Sequence, residues 1–121
     1  KKALIVHGED GLDEITLCGQ TYCAEWTGNE ILEYDLGPDD FDLPSIQSDD
    51  IRGGTPEENA KALNELLQGD KSAYRDIVLA NCAALLKLAG KTPTLTEGVN
   101  LAAKAIDDGK ALQVLNRYKA L

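Results

Sequence analysis

Apolar and polar residues change their spacing along the chain, and the change predicts where strands give way to helices. Residues 3–7 form a short apolar run that ends at a glycine, which is typical of a buried strand in a parallel sheet. Apolar and polar residues roughly alternate in 22–26 and 31–36, with Gly28-Asn29 between them. This pattern predicts a β-hairpin.

Two further stretches before residue 45 are less regular. Residues 15–18 (ITLC) suggest a short additional strand ahead of the hairpin. Residues 37–44 (GPDDFDLP) carry proline near both ends and three aspartates, which predicts a loop.

Helical spacing begins after Gly53-Gly54. Thr55-Pro56-Glu57-Glu58 has the pattern of a capped helix start, with an N-cap threonine, proline at the first position and glutamate three residues after the cap. Thr94-Leu95-Thr96-Glu97 repeats the capping box. Residues 77–89 are apolar almost all round and predict a central core helix that ends at Gly90. A last helix is expected around Leu112, Leu115 and Tyr118.

Together these elements predict one α/β domain over residues 1–121. We expect a partial sheet, one parallel-type strand plus a β-hairpin, packed with about four helices. So few strands are unusual for a complete α/β sheet, and the chain opens almost directly on a strand without an initial Met. We therefore expect it to be the later part of a longer protein.

Bulk composition narrows the class of protein. The formal net charge of −9 disfavours nucleic-acid binding, because a phosphate backbone would be repelled. No apolar stretch approaches the roughly 18 residues of a membrane span. Cys18, Cys23 and Cys82 are odd in number and lack a CxxC pair, which favours reduced, buried thiols in a cytoplasmic protein over disulfides or zinc ligands.

The segment HGEDGLDEI, residues 7–15, concentrates four carboxylates after the first strand: Glu9, Asp10, Asp13 and Glu14. A solvated acidic turn and a magnesium site both fit this composition, since Mg²⁺ takes one or two protein carboxylates together with phosphates and water. The spacing does not match an EF-hand loop. The residues alone leave both interpretations open.

Four segments in register resemble the anthranilate phosphoribosyltransferases, the second enzyme of the tryptophan pathway. They are VHGEDGLDEI (6–15), LGPDDFDL (36–43), GGTPEENA (53–60) and RDIVLANCAALLKLAGK (75–91). Their order and spacing agree over the whole chain, which is far more specific than any one motif. One departure is Asp42, where the family usually has glycine, and it bears on loop conformation.

The resemblance implies a magnesium-dependent transfer of the 5-phosphoribosyl group from phosphoribosyl pyrophosphate to anthranilate. It assigns the Mg²⁺ ligands to Asp13 and Glu14, leaves Glu9 and Asp10 to shape the loop, and makes Gly8 and Gly11 its turns. It assigns no catalytic residue or organic cofactor to this chain. A structural role is expected for His7, the only histidine.

The resemblance also makes this chain the C-terminal part of a larger phosphoribosyltransferase α/β domain. The family's glycine-rich phosphate loop, its anthranilate site and its N-terminal dimerising domain would precede Lys1, so the chain alone is expected to be inactive and the intact protein to be a homodimer. A pyrimidine nucleoside phosphorylase and a non-catalytic nucleic-acid-binding relative are the alternatives. The acidic pair and the acidic surface speak against both.

Overall fold

The first half of the chain, up to residue 51, builds an antiparallel sheet and the loops around it. The computed structural model describes all residues from 1 to 121. Its strands are β1 (Ala3–Gly8), β2 (Thr21–Trp26) and β3 (Ile31–Leu36), in the order β1-β2-β3. The hairpin predicted from the sequence is therefore confirmed, with Gly28 in its turn at φ 116°.

The type of the first strand needs a correction. Within this chain β1 pairs only with β2, and the pairing is antiparallel, with Val6 opposite Cys23 and Gly8 opposite Thr21. No helix lies between the two strands. Parallel neighbours need a crossover connection, usually helical, whereas a loop that reverses the chain brings consecutive strands together antiparallel.

One face of the sheet packs on the protein core and the opposite face, here called the outer face, is open. Ile5, Tyr22, Trp26 and Ile31 point outward and expose between 40% and 72% of their surface. The apolar run of β1 is thus half-exposed rather than buried on both sides.

Residues 15–18 are not a strand, contrary to the sequence-based expectation. Ile15 and Leu17 are buried, which explains their apolar character. Their main chain is bonded elsewhere, however: the Leu17 carbonyl accepts from Ile46 N at 3.1 Å, and the Thr16 amide donates to the Thr21 hydroxyl at 3.0 Å. Side chains and a neighbouring loop replace the ladder that a strand would need.

Two short 3₁₀ helices, Pro38–Phe41 and Ser48–Ile51, interrupt the loop after the sheet. Phe41 is fully buried and anchors the first of them. This first 3₁₀ helix ends at Asp42, the only non-glycine residue with positive φ (55°). The position where the family usually has glycine is therefore left-handed in this chain.

Four α-helices follow, as predicted: α1 (Pro56–Leu67), α2 (Ala73–Leu88), α3 (Leu95–Asp107) and α4 (Lys110–Lys119). The capping box at Thr55 is confirmed, because its hydroxyl accepts the Glu58 amide and its amide donates to the Glu58 carboxylate. At Thr94 only the N-cap is formed: its hydroxyl accepts the Glu97 amide, but the Glu97 carboxylate is bonded to that hydroxyl and not to the Thr94 amide. The core helix α2 starts earlier than expected, at an N-cap formed by Ser72. None of these helices combines the length and apolar character of a membrane span.

Helix α2 packs mainly on α3, and its Ala84 and Leu88 line cavities together with Leu4 of the sheet. Gly98 of α3 lies directly on Ala83 of α2, so close that a Cβ at residue 98 would stand 2.8 Å from the Ala83 Cα. The protein core joins the loop after β1, the sheet and the helices, and its largest fully buried apolar side chains are Phe41, Ile15, Leu17 and Leu66.

Candidate metal-binding loop

The acidic loop, defined here as residues 8–14, leaves the end of β1 in a closed turn. The Gly8 amide donates to the Leu12 carbonyl at 2.9 Å, and the Gly11 amide donates to the Gly8 carbonyl at the same distance. Gly11 has φ 92°, which favours glycine. The chain therefore turns tightly and delivers Asp13 and Glu14 immediately after the turn.

Gly8 serves the loop by its small size and not by an unusual φ. It is buried, and a Cβ there would come 2.5 Å from Asp10 Oδ1 and 3.2 Å from Thr16 Cγ2. A larger residue would push the Asp10 carboxylate away from Thr16. Of the two glycines expected to form turns, Gly11 does so by conformation and Gly8 by leaving room.

Asp10 is exposed, and its carboxylate braces the loop through hydrogen bonds. Its Oδ2 accepts the Thr16 hydroxyl at 2.7 Å, and its Oδ1 accepts the Leu12 amide at 3.3 Å. Thr16 is fully buried, and its Oγ1 also accepts the Cys18 amide at 2.9 Å. Glu9 is exposed, and its amide donates to the Gln20 carbonyl at 2.9 Å. Both residues therefore lie where a loop-shaping role would place them.

Asp13 and Glu14 are neighbours in the chain and both are exposed. Neither carboxylate forms an ion pair, since the ion pairs of the chain involve other residues. The pKa of Glu14 is raised above its usual value by partial desolvation and by the charges of Asp13 and Asp10. Negative charge thus accumulates at this point of the surface. A cation bound there would relieve the repulsion.

Asn81 of α2 holds the main chain just after the acidic pair. Its Oδ1 accepts the Ile15 amide at 2.9 Å, while its Nδ2 donates to the Ile15 carbonyl and to the Ile77 carbonyl, both at 2.9 Å. The side chain therefore makes three hydrogen bonds and grips residue 15 at two points. Sequence reasoning missed this contact, although a lone Asn in an otherwise apolar helix was a signal that it needs polar partners.

The pair borders a shallow cavity of about 170 Å³ on the core side of the sheet. Its walls include Leu4, Val6 and Asn81. His7 belongs to the outer face, in a different concavity with Ile5 and Tyr22. The structure therefore does not bring the only histidine together with Asp13 and Glu14.

The donor set suits Mg²⁺ shared with a phosphate ligand. Asp13 and Glu14 offer hard oxygen donors, and no group of three or more His, Cys, Asp or Glu side chains is arranged to hold a metal. A cation that needs a complete protein cage would find too few ligands. Mg²⁺ fits, because it commonly takes one or two carboxylates and completes its shell with phosphate oxygens and water.

The fold is that of an α/β domain with an exposed carboxylate pair in the loop after its first strand. The sequence profile described as "Glycosyl transferase family, a/b domain" matches residues 1–112. The chain belongs to this glycosyl transferase family.

Among curated relatives, the anthranilate phosphoribosyltransferase of Parvibaculum lavamentivorans is 49% identical over 118 residues, which is 98% of this chain and 35% of that protein. The chain thus spans about a third of the length of the relatives it matches. The resemblance seen in the four sequence motifs is confirmed.

Solved structures agree. An anthranilate phosphoribosyltransferase from Thermus thermophilus superimposes with a TM-score of 0.87 at 39% identity, covering 98% of this chain and 35% of that one. The Saccharomyces cerevisiae enzyme in complex with PRPP and Mg matches with a TM-score of 0.85 at 30% identity, covering 93% of this chain and 33% of that one.

Proposed function

We propose that this chain forms the magnesium-binding part of an anthranilate phosphoribosyltransferase. The intact protein would transfer the 5-phosphoribosyl group of phosphoribosyl pyrophosphate to the amine of anthranilate, giving N-(5-phosphoribosyl)anthranilate and pyrophosphate in tryptophan biosynthesis. The observation that carries the proposal is the free, exposed Asp13–Glu14 pair, set in a chain that is 49% identical to such an enzyme over 118 residues.

The physical problem of this reaction is the departure of a highly charged pyrophosphate from an anomeric carbon that becomes cation-like. Bound Mg²⁺ neutralises charge on the leaving group. Asp13 and Glu14 would hold the ion from the protein side. The Asp10 carboxylate accepts the Thr16 hydroxyl at 2.7 Å and the Leu12 amide at 3.3 Å, whereas those of Asp13 and Glu14 make no hydrogen bond or ion pair within the chain.

The substrates belong to the same proposal. Phosphoribosyl pyrophosphate and Mg are present together in the yeast relative, and anthranilate is named in the relatives of this chain. We assign no residue of this chain to contact with anthranilate. A homodimer through an N-terminal domain and a cytoplasmic location stay predictions; the three free cysteines are consistent with a reducing compartment.

The two alternatives are less favoured. The relatives named here are anthranilate phosphoribosyltransferases and not nucleoside phosphorylases. A nucleic-acid-binding relative would be expected to present a basic surface, whereas this chain has a formal net charge of −9 and retains the carboxylate pair.

A chimera tests the proposal. The segment of the Thermus thermophilus enzyme that aligns with this chain would be replaced by residues 1–121, and PRPP-dependent consumption of anthranilate would be measured against Mg²⁺ concentration. We expect an active chimera in which Asp13→Asn with Glu14→Gln lowers kcat/KM at least about 100-fold, as loss of an electrostatic contact to the reacting group does.

Glu9→Gln is the matched control, because it removes a carboxylate from the same loop that we do not assign to the metal. Its Mg²⁺ dependence should stay within about twofold of the parent. A folded chimera whose double variant keeps the parent's turnover and Mg²⁺ dependence would refute the assignment.

A further inference from the structure

Asn81 is the one helix side chain that is hydrogen-bonded to the segment carrying the acidic pair. The other side-chain hydrogen bonds of residues 8–16 are local, with partners at most six positions apart, whereas Asn81 and Ile15 are separated by 66 positions. Asn81 therefore makes the only side-chain hydrogen bonds between this segment and the helices.

We infer that Asn81 is a positioning residue for the metal site: by gripping both main-chain groups of Ile15, it sets where the carboxylates of Asp13 and Glu14 stand. The inference rests on the proposed function, because it concerns the same site. It adds a residue that neither the motif GLDE nor the carboxylate chemistry would identify.

Geometry supports a positioning role. Two hydrogen bonds to one residue, an amide and a carbonyl, fix its orientation as well as its location, and a third bond to the Ile77 carbonyl at 2.9 Å fixes the Asn81 side chain itself. Glu14 is directly bonded to Ile15 along the chain. A change in the direction of the Ile15 peptide would therefore rotate the Glu14 carboxylate, and a metal held by two ligands tolerates little rotation.

The chain offers a matched comparison in Asn59. At the start of α1, its Oδ1 accepts the Gly54 amide at 2.9 Å, and its Nδ2 donates to the Gly54 carbonyl at 3.2 Å. It is the same two-point grip of one residue by one Asn, placed at a helix start that carries none of the proposed metal ligands. Substitution of Asn59 therefore measures how much stability such a pair of hydrogen bonds contributes at a place away from the proposed metal site.

The experiment measures binding of Mn²⁺ with pyrophosphate to the 121-residue chain, by paramagnetic broadening of the backbone amide signals of residues 13–15 in NMR spectra. Mn²⁺ takes the oxygen ligands that Mg²⁺ takes and can be detected at weak sites. Variants are Asn81→Ala, Asn59→Ala and the double change Asp13→Asn with Glu14→Gln. Circular dichroism establishes that each is folded at the temperature used.

We expect the double variant to abolish the broadening, Asn81→Ala to weaken the apparent affinity about 10- to 100-fold while the chain stays folded, and Asn59→Ala to stay within about twofold of the parent. A purely structural role would lower the denaturation midpoint of both Asn variants and leave the affinity of the folded chain unchanged. If Asn81→Ala does not fold, Asn81→Gln against Asn59→Gln gives the same comparison.

The outcomes separate the two levels of the argument. If Asn81→Ala, or Asn81→Gln in its place, binds as tightly as the parent while the double carboxylate variant does not bind, the positioning role is overturned and the metal site stands. If the parent does not bind, or the double variant binds like the parent, the proposed metal site is overturned together with the role of Asn81.

Discussion

Arg75 and Asp107 form a two-point ion pair that joins the start of α2 to the end of α3. Arg75 Nη1 lies 2.9 Å from Asp107 Oδ1, and Nη2 donates to Oδ2 at 3.0 Å. The Arg75 side chain is 3% exposed, whereas that of Asp107 is 44% exposed. A nearly buried cation thus depends on a single carboxylate at the surface.

Asp107→Asn is therefore expected to destabilise the fold clearly, because it removes the only carboxylate in contact with the buried guanidinium. The measurement is the urea denaturation midpoint. Lys104→Gln is the control: it breaks the exposed pair with Asp108, 3.0 Å long, and should cost no more than about 1 kcal/mol. Equal midpoints for the two variants would contradict the importance given to the buried pair.

The same pair predicts a pH dependence. Hydrogen bonding to Arg75 lowers the pKa of Asp107 below its ordinary 3.8. A carboxyl with a lower pKa in the folded state binds protons less readily there, so its contribution to stability is complete above about pH 4 and is lost as the pH falls through the folded-state value. Stability of the parent minus that of Asp107→Asn should therefore be constant near neutral pH and shrink as the pH falls below about 4. A constant difference would argue against this linkage.

Gly98→Ala is expected to destabilise α3, although replacing glycine by alanine inside a helix usually stabilises it. Gly→Ala inside a helix normally stabilises by about 0.5–1 kcal/mol. Here the added Cβ would stand 2.8–2.9 Å from the Cα, Cβ and carbonyl oxygen of Ala83, so Gly98→Ala should instead destabilise by about 1–3 kcal/mol. Adding Ala83→Gly removes only one of the three close atoms, and should recover part of the loss in denaturation experiments. Stabilisation by Gly98→Ala alone would show that the two helices can separate freely.

Two substitutions of Asp42, one tolerated and one destabilising, test whether the left-handed backbone at this position matters for stability. Its φ of 55° suits glycine, so Asp42→Gly should leave the free energy of unfolding within about 0.5 kcal/mol of the parent or raise it slightly. Asp42→Val should lower it by about 1–2 kcal/mol, because a β-branched residue rarely adopts this conformation. Chemical denaturation measures both. Equal stability of the two variants would mean that the loop changes conformation on substitution.

The isolated 121-residue chain is expected to show no phosphoribosyl transfer. It spans 35% of the Parvibaculum relative, and the only substrate-handling groups assigned to it are the two carboxylates of the metal site. Incubation with phosphoribosyl pyrophosphate, anthranilate and Mg²⁺, followed by product analysis, measures this directly. Product formed above the rate of an Asp13→Asn, Glu14→Gln sample would refute the expectation.

Local signals in the sequence were sufficient for the starts of α1 and α3, the hairpin and the carboxylate loop. Thr55 and Thr94 cap their helices as expected because capping depends on residues only three positions apart. The orientation of β1 and the state of residues 15–18 were not accessible in this way. Both depend on partners distant in sequence: Ile46 bonds Leu17, and Asn81 bonds Ile15 across 66 positions.

The candidate site also has features that the local sequence indicated and features that depend on three-dimensional packing. The motif was sufficient to propose Asp13 and Glu14 as ligands and to leave Asp10 in the loop. It did not indicate that the Thr16 hydroxyl is hydrogen-bonded to the Asp10 carboxylate, nor that Gly8 is needed for space, since both facts follow from packing in three dimensions. A polar residue within an apolar helix was the one local clue to Asn81.

The open outer face gives the molecule a built-in optical reporter. Trp26, the only tryptophan, is 40% exposed there and sits opposite Ala3 at one end of the β1–β2 ladder, while the acidic loop joins the other end, where Gly8 faces Thr21. Six residues of strand separate the two by about 17 Å. The emission wavelength of Trp26 should shift when another protein surface covers this face and stay unchanged when a cation binds the acidic loop. One fluorophore therefore distinguishes assembly from metal binding.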